Sequence, residues 1–351
     1  LVAGDTLGGG SVTISCTGAA AKGVSCDKVL TTTGGSLTIP NSGAGTGTTS
    51  NYSTAKGLTS DGSISLQGGT ITVKMTGTGG KGIKSDGTLT IGVSDTEGPV
   101  LSVSTTGAKY LSTSSAKAIK AQGAITVNGG ESTISTTQNG AEGMESKLKA
   151  TNSIVFNGGK HYFKCYDDCI NSAGCICFNG GVTVCYSNGN DAVDSNAGTT
   201  GAITIGNGTV FAFSTKGAPE EGLDCDNNSY IQITGTGIGI SAGGAQGGGS
   251  SSSTISNAAQ GYAFVTSTIS YQANRYYTLA NSSGTNLVTY SFPASLSSTL
   301  ALFTAKGMVK GQTYTVKYST TAPTDATTSW HGLYLGSSHQ GTTSTTSFTA
   351  K

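Results

Sequence analysis

The chain has 351 residues, 55 of them Gly, with only 11% charged residues and a formal net charge of +1. Near-neutral charge argues against nucleic acid, whose phosphates call for a clustered basic face, and no apolar run of about 18 residues is present to span a membrane. Helix formers are sparse, whereas Thr, Ser, Val, Ile and Tyr dominate, so the chain reads as all-β.

The chain opens on Leu1, not Met, which suits a processed protein whose signal segment has been removed. Low charge with abundant Ser, Thr and Gly suits an extracellular or cell-surface setting. A pattern Gly-aliphatic-x-Ser/Cys-Asp then recurs at 23–27, 57–61, 82–86 and 222–226, with looser copies at 118–121, 143–146, 169–172 and 192–195. Copies start roughly 23 to 36 residues apart, the spacing of stacked supersecondary units.

Two alternating stretches follow each anchor. After Ile83 come Leu89/Ile91 and Leu101/Val103, and after Ile119 come Ile125/Val127 and Ile134. Met144 is followed by Ile154/Phe156 and His161/Phe163, Ile170 by Ile176/Phe178 and Val182/Val184, and Val193 by Ile203/Ile205 and Phe211/Phe213. Period-two alternation marks strands with one buried face. Three short strands per turn predict a right-handed parallel β-helix of about eight coils over residues 12–240, in which Val24, Leu58, Ile83, Ile119, Met144, Ile170, Val193 and Leu223 form one buried column. Corners at 67–69, 128–130, 157–159 and 179–181 pair Gly-Gly with a preceding Asn or Gln, which predicts positive-φ bends and an Asn ladder between neighbours.

Past Ile240 the repeat fades into a Gly-rich linker at 243–250. The remainder has longer, hairpin-like stretches and holds the only Arg, Arg275, and the only Trp, Trp330. The expected organisation is a parallel β-helix over 1–250 and a C-terminal antiparallel β segment over 251–351 that caps or flanks it.

Stacking turns sequence positions into columns. The residue before each anchor runs Lys22, Lys56, Lys81, Lys117, then Glu142, Asp168, Asp191, Glu221; three residues further on it runs Ser25, Thr59, Lys84, Lys120, then Glu145, Asn171, Asp194, Asp224. The corner is basic in the first half and acidic in the second. Like carboxylates about 5 Å apart repel by about 3 kcal/mol at an effective dielectric of 20, and converging oxygens of this kind are what Ca²⁺ prefers. The expected calcium ligands are Glu142, Glu145, Asp168, Asn171, Asp191, Asp194, Glu221 and Asp224, with a solvated acidic face as the alternative. The lysine column reads first as an ordinary solvated face; the alternative is a groove in which Lys81, Lys84, Lys117 and Lys120 pair with uronate carboxylates.

Cys26 and Cys225 read as small buried fillers, whereas Cys165, Cys169, Cys175, Cys177 and Cys185 cluster closely enough to hold one or two disulfides. His161, His331 and His339 lack metal-site spacing and form no catalytic arrangement.

With these columns the sequence resembles a family of secreted bacterial carbohydrate-binding domain-containing proteins. That family has a polysaccharide-lyase-like right-handed parallel β-helix with bound calcium. The resemblance rests on residues 81–87, 142–146, 167–172, 190–196 and 220–227, and is weaker at 307–315. It implies calcium ligands at the acidic corners and binding of cell-wall polysaccharides, including acidic pectins, without cleavage. Cys169 departs from the pattern, standing where an anchor Gly is expected. The expected function is therefore extracellular, calcium-dependent recognition of an acidic polysaccharide. One alternative is a filament or adhesin subunit that self-associates end to end. A pectate-lyase-type enzyme is the other, and it is disfavoured because the only Arg lies outside the repeats.

Overall fold

The computed structural model describes residues 5–245 and 254–351. Among the described residues the chain is all-β apart from one short 3-10 turn, Asn228–Tyr230. Two sheets dominate: one of sixteen strands, and one of eight short parallel strands that begins at Lys22–Cys26 and ends at Leu223–Asp224. Among the described residues no helix is long and apolar enough to cross a membrane.

Strand pairing corrects the expectation of a single right-handed parallel β-helix with three strands per coil. Ser63–Met75 pairs with both Leu89–Ile91 and Val100–Thr105, and Ile154–Cys165 pairs with both Ile125–Val127 and Glu131–Thr136. The intermediate strands pair in turn, Leu89–Ile91 with Ile125–Val127 and Val100–Thr105 with Glu131–Thr136, which closes a ring of six parallel strands. The cause lies at the Gly-Gly corners. Most of them bulge a strand without ending it, so Val29–Asn41, Ser63–Met75, Ile154–Cys165 and Ile176–Ser187 each run through the bend as one element of 12 or 13 residues, whereas the corner at 128–130 separates Ile125–Val127 from Glu131–Thr136. Gly69 at φ +85° and Gly159 at φ +83° make that bend. A Cβ at Gly159 would lie 2.5 Å from the Gly130 carbonyl oxygen, so only glycine fits. Beside the bulges, Asn157 Nδ2 donates to Asn128 Oδ1 at 3.0 Å and Asn179 Nδ2 to Asn157 Oδ1 at 3.2 Å, a ladder of amides.

Between the two sheets lies a core of stacked aliphatics. Leu30, Ile64, Leu89, Ile125, Ile154, Ile176, Ile203 and Ile231 occupy one register position of the large sheet, and all are buried. Val24 through Leu223 form the facing column in the eight-stranded sheet, also buried. All eight cysteines are free thiols; Cys26, Cys165, Cys169, Cys185 and Cys225 fill this core.

The C-terminal segment forms a six-stranded antiparallel sheet and also contributes strands to the large one. Leu300–Thr304 pairs antiparallel with Ile238–Gly243 on one side and with Tyr262–Val265 on the other. A second core forms where the six-stranded sheet covers the outside of the parallel strands: Val184, Phe211, Phe213 and Ile240 pack there with Tyr271, Tyr277, Tyr290 and Phe292. Val184, Phe211 and Phe213 thus point away from the inner core that their alternation suggested, while Cys185, Val210 and Ala212 point into it. With every residue of Thr209–Ser214 buried, the parity of that strand carries no signal in the sequence. The expected division at 250/251 lies outside the described residues.

Candidate functional site

Alternation in the eight-stranded sheet sends the aliphatic column inward and the residue after it outward. The register runs Ser25, Thr59, Lys84, Lys120, Glu145, Asn171, Asp194, Asp224 across directly paired positions. Lys22, Lys56, Lys81 and Lys117 likewise pair in sequence. Glu142, Asp168 and Glu221 continue that side through their carbonyls, which accept from the N–H groups of Ala118, Gly143 and Ala192.

The lysines are largely spoken for. Lys81, 8% exposed, donates from Nζ to the Gly79 carbonyl at 2.9 Å, to Ser114 Oγ at 3.3 Å and to the Ser115 carbonyl. Burial, followed by the nearby charges of Lys120 and Lys117, brings its pKa down to about 7. Lys117 donates to the Gly140 carbonyl at 3.1 Å and pairs with Glu142 and, at 3.8 Å, with Glu145. Lys84 pairs with Asp86 at 2.6 Å, and Lys120 with Glu145 at 2.9 Å.

Glu145 is only 2% exposed and faces three ammonium groups, those of Lys117, Lys120 and Lys147. Its burial favours the neutral acid, but Lys117 and Lys120 outweigh that and hold the pKa down at about 2. Two of the expected calcium ligands, Glu142 and Glu145, are thus neutralised by lysine. Lys147 was absent from the sequence reading; its place two residues after Glu145 is the signal that could have found it.

Beyond this junction the column is acidic, running Asn171, Asp194 and Asp224 across paired strands. Asn171 Nδ2 donates to Asp168 Oδ2 and to Asp194 Oδ2, both at 2.8 Å, and so holds two carboxylates from neighbouring strands. Asn196 Nδ2 also donates to Asp194 Oδ2 at 2.8 Å, and Asn190 Nδ2 to Asp167 Oδ1 at 2.7 Å. The Glu221 N–H donates to Asp191 Oδ1. Asp168 Oδ1 is buried with no hydrogen-bond partner.

Charge crowds here. Burial raises Asp168 well above the usual carboxylate range, and Asp194 adds to the rise. Burial also lifts Asp191 to about 8 and Asp194 to about 7, with Asp224 contributing to both. A buried carboxylate forced upward in this way gains most from a nearby positive charge. Among the described residues no three His, Cys, Asp or Glu side chains already converge as a metal centre. Asn amides stand between the carboxylates, their N–H groups supplying the partial positive charge. The donors available are hard oxygens, which suit a cation of the calcium type.

Residues 94–192 match the model of a family described as carbohydrate-binding domain-containing protein. The matched segment contains Lys117, Lys120, Glu142, Glu145, Asp168, Asn171 and Asp191, and ends just before Asp194. No curated protein and no solved structure matches the chain.

Proposed function

We propose that the chain is a non-catalytic carbohydrate-binding protein of the cell exterior, that its acidic corner takes calcium, and that it recognises an acidic polysaccharide. The observation that carries the reading is the match of residues 94–192, which spans the run where the column turns from lysine to carboxylate. The residues fit a hard cation: Asp168 Oδ1 lies buried without a partner, beside carboxylates whose pKa values burial and mutual repulsion have raised.

Asp168, Asn171, Asp191, Asp194, Glu221 and Asp224 would hold the ion. Asn171 would turn its amide so that its oxygen, in place of its N–H group, faces the carboxylates. Calcium bound there supplies charge neutralisation and a bridge to a sugar carboxylate. The chain itself excludes water from Asp168, fixes Asp194 through two amides, and screens Glu142 and Glu145 from the ion with lysine. The arrangement favours holding over cleaving: Lys81 and Lys117 are tied to carbonyls, and the Arg275 guanidinium stacks 4.0 Å from the Tyr318 ring centroid.

Affinity electrophoresis through pectate and through a neutral polysaccharide, with calcium and with EDTA, tests the proposal. Retardation in pectate that EDTA abolishes is expected. Free migration through every gel sinks the binding reading, and release of unsaturated oligogalacturonides would make the protein a lyase.

A further inference from the structure

The outward column of the large sheet changes character along its length. It runs Thr38, Thr72, Ser102, Thr133, Tyr162, Val184, Phe211, Ile240 across paired positions. The first four are accessible hydroxyls, and the last three are buried beneath the antiparallel sheet. Tyr162 stands at the seam, and beside it opens a cleft of about 260 Å³.

Two aromatic pairs line this cleft. His331 stacks on Tyr162 with centroids 3.6 Å apart and planes within 4°, while Tyr276 and Tyr334 meet edge to face at 5.7 Å. Asn274 also lines it, and the buried rings of Phe213 and Phe292 form its apolar side. No Asp, Glu, Lys or Arg is among the lining residues. Asn274 and His331 both hold left-handed backbone, at φ +62° and +42°. Such conformations cost energy in a residue with a Cβ and collect at binding sites.

We propose that this cleft seats one uncharged pyranose ring, with the rest of the saccharide running out over Thr133, Ser102, Thr72 and Thr38. The proposal rests on the carbohydrate reading above and adds to it a second, neutral subsite, at the large sheet, whereas the acidic corner belongs to the eight-stranded one. Aromatic faces and edges complement the C–H faces of a sugar ring, because the ring quadrupole attracts weakly positive hydrogens. The Tyr hydroxyls, the His331 imidazole and the Asn274 amide supply directional partners, the mix of apolar wall and few polar groups that small-molecule sites use. Partial burial lowers the His331 pKa, which favours the neutral imidazole that both donates and accepts. The size of the cleft suits a single ring, and the four hydroxyl positions lead straight to it.

Trp330, the only Trp, lies edge to face with His331 at 4.6 Å, so its emission reports occupancy of the cleft. The test is titration of the full chain in EDTA with cellohexaose, xylohexaose and mannohexaose, followed by Trp emission and calorimetry. A saturable change with at least one of them is expected. Tyr334→Ala and His331→Gly should weaken it at least tenfold. Asn274→Gly keeps the backbone turn and removes the amide, and it gives the same reading should Tyr334→Ala fail to fold. If no hexasaccharide produces a signal while pectate still retards the protein, the neutral subsite is overturned and the carbohydrate reading stands. Unchanged binding in the cleft variants likewise overturns it. No signal here together with free migration through every polysaccharide gel overturns both.

Discussion

Lys120 and Glu145 occupy directly paired positions of neighbouring parallel strands, and their side chains meet at 2.9 Å. At this pair the outward column changes sign. Glu145 also faces Lys117 and Lys147 and is nearly inaccessible to water, so it anchors the basic half to the acidic half.

Replacing Glu145 with Gln leaves three ammonium groups crowded at a buried point. The expected loss is about 3 kcal/mol, the cost of removing one partner from a buried ion pair. Lys147→Ala, whose side chain is 46% exposed, should cost about 1 kcal/mol or less. Urea unfolding of both variants checks the ordering, and a Glu145→Gln protein as stable as Lys147→Ala would refute it.

Asp194→Asn separates a calcium site from a merely solvated corner through a reversal of sign. Without calcium the substitution removes a repelling carboxylate and should raise the melting temperature. With calcium it removes a ligand, so the stabilisation that wild type gains by mass action, about 3 kcal/mol at a hundred times Kd, should shrink markedly. Calorimetric melts in EDTA and in millimolar calcium measure both arms. Identical wild-type melts in the two buffers would leave the corner without a metal.

Stability of the metal-free protein should pass through a minimum near neutral pH. Asp191 titrates at about 8 and Asp194 at about 7 in the folded state, against an ordinary value of 3.8. Between those values the folded chain holds protons that the unfolded chain has lost, so stability falls as pH rises. Lys81 acts oppositely: it titrates at about 7 when folded and at an ordinary 10.5 when unfolded, so its contribution grows as pH rises from 7 towards 10.5. Calcium should flatten the falling limb. Denaturant midpoints from pH 5 to 10 test the shape, and a monotonic rise across pH 5 to 8 in EDTA would contradict the assignment.

Gly159→Ala should destabilise the protein by more than about 2 kcal/mol, because a positive φ coincides with a Cβ forced against the Gly130 carbonyl and His161 Nε2. Gly198→Ala has a positive φ but open space around it, and should cost only about 1 kcal/mol. Thermal melts of the two variants distinguish backbone strain from close approach.

Much of the inner core was legible in the sequence because each aliphatic recurs directly after a small residue, Gly, Ala or Cys. Val24 through Leu223 do share one column, and the reversal from lysine to carboxylate falls between Lys120 and Glu145 as their spacing suggests. The continuity of strands through Gly-Gly was hidden, since the same pair serves a corner or a bulge and only hydrogen-bond register separates them. Burial of Lys81 was hidden as well: its cage is made of carbonyls, which every residue owns. The aromatic cleft had no linear signal, because Tyr162 and His331 meet only once the antiparallel sheet folds back over the parallel strands.

Antiparallel closure by Leu300–Thr304 gives synthesis a direction. Ile238–Gly243 leaves the ribosome long before the strand that covers it, and until residues 300–304 follow it presents bare N–H and C=O groups to any passing strand. A chain cut short in that interval would expose a template for aggregation, whereas the finished chain carries its own stopper.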